Sequence, residues 1–235
     1  MNNNAEILLI PSFLDEADVS TLPASILEGV KKCQVFFVEN ERSARRFLKM
    51  IWKEMVIDSY EWHTIHKAED EVMGRFLSTI QAGKTIGIIS EAGCPCIADP
   101  GQLLVAAAQK KGARVKPLVG PNSIILALMA SGLNGQQFKF NGYLPIDNLA
   151  RTKAIRELEQ ESVACTQIFI ETPYRNKALA ESVLQHCKPT TRLCIAVNLT
   201  GAEEFVQTKT VADWKNSLPE MHKRPAIFLI YAGTI

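Results

Sequence analysis

The sequence predicts an α/β fold in two domains, with a mostly parallel sheet in the N-terminal domain and a mixed sheet in the C-terminal domain. Short apolar runs alternate with longer amphipathic stretches through the first half of the chain. Continuous Ile and Val runs are typical of strands covered on both faces, and repeated strand–helix–strand units imply parallel strands joined by right-handed crossovers. In the second half, two predicted strands follow one another with no room for a helix, which indicates an antiparallel pair.

The elements of the N-terminal domain follow in order along the chain. Strands are expected at residues 7–10, 35–38, 56–60, 85–90 and 115–119. Helices are expected at residues 22–32, 42–54, 67–82 and 102–111. Gly83 and Gly112 come just past two of these helices, where a left-handed C-cap favours glycine.

The C-terminal domain has fewer helical patterns. Strands are expected at residues 166–171, 192–198, 204–210 and 226–232, and helices at 123–131 and 175–187. Between the two sets lies a Pro-x-x-Gly-Pro segment, Pro117 to Pro121, which stiffens the chain. We therefore expect an N-terminal domain of residues 1–118 and a C-terminal domain of residues 119–235.

The composition excludes two classes of protein. With 47% hydrophobic and 22% charged residues, the chain is globular and not intrinsically disordered. Lys and Arg number 26 and Asp and Glu 25, so the formal net charge is +1. Proteins that wrap nucleic-acid phosphates usually carry a larger basic surplus, so a polyanionic partner requires a local basic surface.

The sequence also predicts a cytoplasmic protein that does not enter a membrane. Its start lacks the basic and apolar regions of a secretory signal. Its longest apolar run, at residues 124–130, is far shorter than the roughly 20 residues that span a bilayer. Six scattered cysteines are not the dense pattern of a secreted disulfide scaffold.

Two neighbouring loops are the candidate ligand site. Gly93 and Gly120 lie in the loops that follow the fourth and fifth predicted strands, and both loops lead into helices. In a parallel sheet, ligands bind beyond the carboxyl ends of the strands, and glycine there lets the backbone approach the ligand closely. Turn geometry explains either loop alone, and Asn122 or Ser123 could simply cap the next helix. Their occurrence at successive strand ends favours a ligand cleft.

These loops carry motifs that are specific when they occur in this order. The segments are Ser90-Glu91-Ala92-Gly93-Cys94-Pro95, Asp99-Pro100-Gly101, Gly120-Pro121-Asn122-Ser123, Phe140-Asn141-Gly142-Tyr143-Leu144-Pro145 and Glu171-Thr172-Pro173-Tyr174-Arg175. Their order and spacing, along nearly the whole chain, resemble the tetrapyrrole methylase superfamily. Within it, the chain most resembles the ribosomal RNA small-subunit methyltransferase I branch.

The resemblance implies an enzyme that binds S-adenosylmethionine in a cleft between two α/β domains and transfers its methyl group. The residues implied to contact this methyl donor are Ser90, Glu91, Ala92, Gly93, Pro95, Pro121, Asn122, Ser123, Tyr174 and Arg175. Because the donor is intrinsically reactive, the protein mainly supplies orientation and desolvation. Members of the superfamily are commonly homodimers, and the resemblance extends that expectation to this chain.

Two loops depart from the branch on the side where the family binds its methyl acceptor. After the first strand the branch has a Pro-Thr-Pro-Ile-Gly-Asn-Leu-type loop, and here the chain has Pro11-Ser12-Phe13-Leu14-Asp15-Glu16. After the second strand it has Glu-Asp-Thr-Arg, replaced here by Glu39-Asn40-Glu41-Arg42. Glu91 stands where the branch has Asp. The sequence thus predicts retained donor binding and an altered acceptor side, whose added carboxylates would repel a phosphate backbone.

Basic residues and histidines near these loops are candidates for contacts with the acceptor. One face of the helix at 42–54 carries Arg42, Arg45, Arg46, Lys49 and Lys53, and a second basic group is Lys139, Arg151, Lys153 and Arg156. Each group either tracks phosphates or is the solvated face of a packed segment. His63 and His66 either contact the acceptor or are ordinary surface or capping histidines. The expected acceptor set is Glu39, Arg42, Arg46 and His63.

No metal site is predicted. Cys94, Cys96, His63 and His66 would together supply four zinc-type ligands. Their spacing is not that of a standard zinc site, and both cysteines occupy the loop assigned to the donor.

The sequence therefore favours an S-adenosylmethionine-dependent methyltransferase that acts on small-subunit ribosomal RNA at a ribose 2′-hydroxyl. Two alternatives stay open. A corrinoid or porphyrinoid ring is a polycarboxylate acceptor that suits the small net charge. A donor-binding protein without catalysis would suit the missing first-loop glycine and the acidic pair Asp15 and Glu16.

Overall fold

The structure is a computed structural model that describes residues 5–16, 18–65, 69–215 and 217–234, with the backbone alone at residues 69–71. The chain divides into two compact units, Met1–Asn122 and Ser123–Ile235. No helix in these described ranges is long and apolar enough to cross a membrane.

The N-terminal unit is a five-stranded parallel sheet with helices on both faces. Its strands are β1 (Glu6–Ile10), β2 (Val35–Val38), β3 (Glu61–Thr64), β4 (Ile86–Ile89) and β5 (Arg114–Pro117). Its helices are α1 (Ser25–Val30), α2 (Glu41–Ile51), α3 (Glu69–Gln81) and α4 (Gln102–Lys110). The strands lie in the order β3-β2-β4-β1-β5, and each neighbouring pair is parallel.

Side chains alternate between two apolar layers along the strands of this sheet. In β2, Val35 and Phe37 join the cluster formed with α3 and α4, whereas Phe36 and Val38 join the cluster formed with α1 and α2. All four are fully buried. Successive residues of a strand point to opposite faces, so an uninterrupted apolar run is what a sheet covered on both sides requires.

The C-terminal unit is a five-stranded mixed sheet. Its strands are β6 (Phe138–Tyr143), β7 (Thr166–Ile170), β8 (Arg192–Val197), β9 (Phe205–Thr210) and β10 (Ala226–Tyr231). Its helices are α5 (Ser123–Ser131), α6 (Asn148–Glu161), α7 (Asn176–His186) and α8 (Val211–Trp214). The order is β6-β7-β10-β8-β9, in which β6 and β7 are parallel and the other pairs antiparallel.

The structure confirms the predicted fold class of two α/β units, one with a parallel and one with a mixed sheet. The antiparallel pairing of the strands predicted at 192–198 and 204–210 is also confirmed, as β8 and β9. Gly83 and Gly112 have φ values of 69° and 68°, as expected for left-handed residues that end helices.

The strand predicted at residues 56–60 is wrong. That segment holds a 3₁₀ turn at Ile57–Ser59, and the strand follows it at Glu61–Thr64. Ile57 and Tyr60 pack against the core from the turn and not from a strand, with the Tyr60 ring 5.4 Å from the Phe36 ring, so their apolar character does not indicate a strand. The true strand, β3, is an edge strand whose sequence is largely polar.

Three elements were not expected from the sequence: β6, α6 and α8. Strand β6 is an edge strand, and its register against β7 shifts between Phe140 and Tyr143. Helix α6 buries only a narrow stripe, which includes Ile155 and Leu158. Its first turn is fixed by Asp147, whose carboxylate accepts the Ala150 N–H at 2.9 Å. Little of the surface of β6 and α6 is buried, so their periodic signals are weak, and α8 is only four residues long.

Candidate active site

Three loops converge at the carboxyl edge of the N-terminal sheet, because β4, β1 and β5 are adjacent parallel strands. The Ser12 N–H donates to the Gly93 carbonyl at 2.9 Å, and the Ser12 hydroxyl donates to the Ser90 carbonyl at 3.2 Å. Gly120 packs so closely on Pro11 that a Cβ there would lie 2.2 Å from the proline Cβ. The loops after β1, β4 and β5 thus form one packed group. Position 120 requires glycine because a side chain there would overlap Pro11.

The loop between β4 and α4 is held in an unusual backbone conformation. Positive φ values occur at Gly93 (68°), Cys96 (70°), Ala98 (64°) and Gly101 (116°). Cys96 and Ala98 are not glycines, so the left-handed region costs them conformational energy. Residues held in this way are concentrated at functional sites, where the surrounding structure fixes them. The loop is therefore a candidate for ligand binding on its geometry as well as on its sequence.

The structure brings together the donor residues assigned to the N-terminal unit. Ser90, Gly93 and Pro95 are buried, whereas Glu91 and Ala92 are exposed. Cys94 joins this loop to the loop after β5, because its Sγ lies 3.4 Å from the Pro121 carbonyl oxygen and its thiol is hydrogen-bonded to the Asn122 side chain. The remaining assigned residues, Ser123, Tyr174 and Arg175, belong to the C-terminal unit.

A cavity of about 190 Å³ opens beside this loop group. It is lined by Ser12, Phe13, Glu16, Ser43, Ala44, Phe47, Ser90 and Glu91. Phe13 and Phe47 form its apolar wall, with the rings edge to face and their centroids 5.5 Å apart. Three hydroxyls and two carboxylates supply its polar groups. The cavity can therefore take a small, flat group that donates hydrogen bonds.

The carboxylates around the cavity are held by specific partners. Glu91 accepts the Ser43 hydroxyl at 3.0 Å, and its own N–H donates to the Glu39 carboxylate at 2.9 Å. Glu16 forms an ion pair with Arg46 across the wall of the cavity. The Glu39 side chain therefore positions the start of the β4–α4 loop by binding the backbone N–H of Glu91.

Asp99 adds a partly buried carboxyl to this acidic group. Burial, followed by repulsion from Glu39, raises its pKa from the ordinary value of 3.8 to about 6. A hydrogen bond with Ser90 opposes the rise, and Glu91 adds to it. Three carboxyl groups near the carboxyl end of β4 make this part of the loop group attractive to a cation or to hydrogen-bond donors.

We expect Asp99→Asn to stabilise the protein at pH 7.5 and to change nothing at pH 3.5. The folded state binds the Asp99 proton more tightly than the unfolded chain, so the cost of ionisation grows between pH 3.8 and about 6 and is constant above. Solvent screening of this half-buried group limits the gain to about 1 kcal/mol. Urea unfolding at the two pH values measures it, with Glu28→Gln in the exposed Glu28–Lys31 pair as control. Equal gains at both pH values would contradict the ionic explanation.

The basic stripe of α2 is largely engaged by the protein itself. Arg45 pairs with Glu41 at 2.6 Å and lies over the Trp62 ring at 5.2 Å. The Lys49 ammonium donates to the carbonyls of Lys53 and Met55 and so closes the end of the helix. With Arg46 bound to Glu16, Arg42 and Lys53 are exposed members of the stripe for which the described part of the chain shows no ion pair.

The second basic group is also paired in part. Lys139 forms a 2.9 Å ion pair with Glu161, and Lys153 lies 3.8 Å from Glu157. The Arg151 guanidinium donates to the Ile146 carbonyl at 3.2 Å. Both basic groups thus fit the interpretation of a solvated face better than that of a continuous phosphate track.

His63 is not among the residues that line the cavity. It lies in β3, which is separated from β4 by β2. Its ring is buried against Phe37 at 4.7 Å, and its Nε2 is 2.8 Å from the Glu61 carboxylate. The hydrogen bond with His63 and the ion pair with Lys84 lower the pKa of Glu61 in spite of some burial. These contacts are those of a packed histidine at the sheet edge.

Cys94, Cys96, His63 and His66 are the four residues that the sequence offers as possible metal ligands. His66 lies outside the described residues. Within the described residues, no group of three or more His, Cys, Asp or Glu side chains is arranged to hold a metal ion. Burial raises the pKa of the Cys33 and Cys187 thiols to about 12, so neither is a thiolate at neutral pH.

In the C-terminal unit, Arg175 is anchored by a buried carboxylate. Its guanidinium donates to Glu171 at 2.6 Å, and Glu171 also accepts the Thr172 N–H at 2.7 Å. Burial alone would raise the pKa of Glu171, but the hydrogen bonds from Arg175 and Thr172 outweigh it and the pKa is lowered. Tyr174, next to this pair, is 71% exposed.

Sequence reasoning did not single out Ser43, Ala44 and Phe47, which line the cavity from α2. For Ala44 and Phe47, the helical spacing in the sequence indicates only the packed side of an amphipathic helix. Residues 43 and 47 lie one turn apart on the same face, and the cap Asn40, which accepts the Ser43 N–H at 3.2 Å, aims that turn at the β4 edge. The signal that could have indicated these residues is the start of α2, which directly follows the loop in which the sequence departs from the branch.

Comparison with known proteins identifies the family. The model of the tetrapyrrole (corrin/porphyrin) methylases matches residues 18–214. A ribosomal RNA small subunit methyltransferase I from Halalkalibacterium halodurans is 34% identical over 159 residues, which are 67% of this chain and 53% of the relative. A protein of the same name from Synechocystis sp. is 35% identical over 178 residues, covering 76% of this chain and 62% of that protein.

Solved structures agree on the fold. The methyltransferase CobJ matches with a TM-score of 0.62 at 16% identity, over 97% of this chain and 94% of the other. A uroporphyrin-III-C-methyltransferase from Thermus thermophilus matches with a TM-score of 0.56 at 16% identity, over 97% and 92%. The chain spans about half the length of the curated relatives it matches, with 53% and 48% in two examples. On the match over residues 18–214, the chain belongs to the tetrapyrrole methylase family.

Proposed function

We propose that this protein is an S-adenosylmethionine-dependent methyltransferase that methylates small-subunit ribosomal RNA at a ribose 2′-hydroxyl. The observation that carries the proposal is the similarity to several proteins named ribosomal RNA small subunit methyltransferase I, at 27–42% identity. The loop group at the carboxyl edge of the N-terminal sheet supports it, because a ligand of this family would meet closely approaching backbone there.

The proposed donor residues are those assigned from the sequence: Ser90, Glu91, Ala92, Gly93, Pro95, Pro121, Asn122, Ser123, Tyr174 and Arg175. S-adenosylmethionine supplies an electrophilic methyl group when bound. Gly93 has no Cβ, which would lie 3.2 Å from the Leu14 side chain, so the loop packs closely there. The carboxyl groups of Glu91 and Asp99 favour a cationic ligand electrostatically. The loop is fixed before binding by its contacts with Ser12 and Pro121, so it contributes orientation at little cost on binding.

On the acceptor side, we propose that the cavity receives part of the target nucleotide. A ribose hydroxyl must lose its proton as it is methylated, and Glu91 or Glu16 could accept it. Arg42 is the stripe residue best placed to meet a phosphate, because it is exposed, has no ion pair among the described residues, and directly precedes Ser43, which lines the cavity. Glu39 and Arg46 would act indirectly, through the Glu91 backbone and through Glu16. We leave His63 out of the proposed set because its contacts are internal.

The two alternatives make different demands on the same residues. A polycarboxylate ring would be repelled by the carboxylates of the cavity, whereas the ribose of a nucleotide is uncharged. A binding protein without catalysis would keep donor affinity but show no turnover. We further propose that the protein acts in the cytoplasm, where ribosomal subunits are assembled, and as a homodimer.

Transfer of a radioactive methyl group from S-adenosylmethionine tests the proposal. Small ribosomal subunits, their naked RNA and a uroporphyrin-type ring are offered in parallel. We expect label in RNA, and after alkaline hydrolysis in dinucleotides, because a 2′-O-methyl group blocks cleavage of the next phosphodiester. Label in the ring would support the alternative ring methylase. Donor binding without transfer to any acceptor would contradict the enzymatic proposal.

A further inference from the structure

An exposed surface of the C-terminal unit combines aromatic rings with cations. We call it the aromatic–basic surface and define it by Tyr143, Tyr174, Arg175, His222 and Lys223. Tyr174 is 71% exposed and Tyr143, the last residue of β6, is 59% exposed, which is high for large aromatic side chains. His222 and Lys223 are exposed as well. The cavity of the N-terminal unit does not include any of them.

The Tyr174 ring is flanked by two basic side chains. The His222 ring meets it edge to face, with the centroids 6.1 Å apart and an interplanar angle of 83°. The Lys223 ammonium lies 5.9 Å from the Tyr174 centroid, within the range of a cation–π contact. These neighbours limit the orientations of the ring and place positive charge beside it.

The segment that carries His222 and Lys223 is fastened to the Tyr174 loop through its backbone. The Lys223 N–H donates to the Pro173 carbonyl at 3.1 Å, and Lys223 has a φ of 61°, in the left-handed region. The Asn176 amide donates to the Arg224 carbonyl at 2.6 Å, and Asn176 is fully buried. A non-glycine residue in this conformation is held only where the surroundings fix it. The position of Lys223 beside Tyr174 is thus built into the fold.

The other side of the surface is also prearranged. Arg175 is held by the buried Glu171 at 2.6 Å, and Tyr143 lies near it. Two acidic groups lie nearby: Glu203 pairs with Arg224 at 2.9 Å, and Glu220 accepts the backbone N–H of His222, a member of the surface, at 2.7 Å. Lys223 and Lys177 remain as exposed ammonium groups for which no described carboxylate lies within ion-pair distance.

We infer that the aromatic–basic surface binds single-stranded RNA, with a nucleobase stacked on Tyr174 and the adjacent phosphate at Lys223. Exposed aromatic rings interleaved with cations are the features by which proteins hold single strands, because every base has a face to stack and every linkage carries a negative charge. The inference rests on the proposed function in that the acceptor is RNA. It also explains how a chain of net charge +1 engages a polyanion: the contact needs a few fixed cations beside a ring and no general basic surplus.

The test is fluorescence anisotropy of a labelled 12-nucleotide single-stranded RNA of mixed sequence, titrated with the full chain at several salt concentrations. Lys223→Gln should weaken binding about threefold to tenfold and lower the salt slope by about 0.7, the value for one phosphate contact on a single strand. Tyr174→Leu should weaken binding about tenfold or more, and Tyr174→Phe, which keeps the ring, less than about twofold.

Lys188→Gln is the matched control. Lys188 is exposed and lies just beyond the far end of α7, about 16 Å along the helix from Arg175. It removes the same charge outside the surface, so RNA affinity should change less than about twofold. Equal losses with Lys188→Gln and Lys223→Gln would overturn the inference, since general charge would then account for binding. Absence of RNA binding by the native chain would overturn it as well.

Donor binding by calorimetry separates this inference from the proposed function. Lys223→Gln should bind S-adenosylmethionine with native affinity. If Tyr174→Leu loses donor affinity and keeps RNA affinity, the stacking role is overturned and Tyr174 belongs to the donor site alone. If the native chain shows the expected RNA pattern but transfers no methyl group, the proposed activity fails and the surface is supported.

Discussion

Gly93→Val is expected to reduce the affinity for S-adenosylmethionine at least about 30-fold, which corresponds to about 2 kcal/mol. Gly93 has a φ of 68°, where a β-branched residue is strained. A Cβ at this position would lie 3.2 Å from the Leu14 side chain and 3.5 Å from the Pro121 carbonyl oxygen. The added methyl groups would therefore separate the loops after β1, β4 and β5, which together form the proposed donor site.

Gly112→Val is the matched control for this experiment. Gly112 also has a φ of 68°, but no atom lies within 4 Å of the position that a Cβ would take. Both variants should lose about 1–2 kcal/mol of stability from backbone strain alone. Calorimetric titration with the donor, together with thermal unfolding of each variant, gives the comparison. If both variants lose donor affinity equally, the effect is one of folding and the assignment of the donor to the Gly93 loop is wrong.

Glu171→Gln is expected to destabilise the protein by about 2 kcal/mol at pH 7. The carboxylate is buried and accepts from both Arg175 and the Thr172 N–H. Both donors meet the same carboxylate oxygen, Oε1, and the amide that replaces the carboxylate offers them a neutral acceptor, which makes weaker hydrogen bonds. Donor affinity should fall severalfold if Arg175 contributes to the site as proposed, because the anchor of the guanidinium is weakened.

The pH dependence identifies the cause. The pKa of Glu171 is lowered in the folded protein, so its stabilising effect is complete above the ordinary value of 4.5 and is lost as the pH falls through the lower folded value. The difference in unfolding free energy between native protein and variant should therefore shrink in acid. Denaturant unfolding at pH 7 and pH 3 measures it, with Glu161→Gln in the exposed Lys139–Glu161 pair as control, for which less than about 0.5 kcal/mol is expected. A difference that stays constant with pH would point to packing.

The parts of the fold that were predictable are those with strong local signals. Strands β2, β4, β8 and β10 are almost wholly buried, and their continuous apolar sequences predict this burial. The segment at Val56 shows the opposite case, because Val56 is 67% exposed although its neighbours resemble a strand. Apolar residues are buried more often than polar ones, but whether a particular residue is buried depends on which parts of the chain pack against it.

The candidate site divides in the same way. Gly93, Gly120 and the motifs around them could be found in the sequence because backbone conformation and close approach restrict those positions to few residue types. Ser43 and Phe47 could not be assigned to a cavity, since a helical period indicates which residues are buried together but not against which loop. The pairing of Arg46 with Glu16, 30 positions apart, has no local signature either.

The fold class and the family can thus be predicted from the order of signals along the chain. These signals are the period of the apolar residues, the succession of strands and helices, and the motifs in the loops at the strand ends. Each of these signals depends on residues that are close together in the sequence. Which charges remain available to a ligand is a different kind of property. Arg46 is paired with Glu16, which folding brings to it, while Lys223 is set beside Tyr174 by a backbone hydrogen bond to Pro173, 50 residues earlier in the chain. Electrostatic interactions depend on distance in space, and that distance is fixed only when the strands and loops have packed.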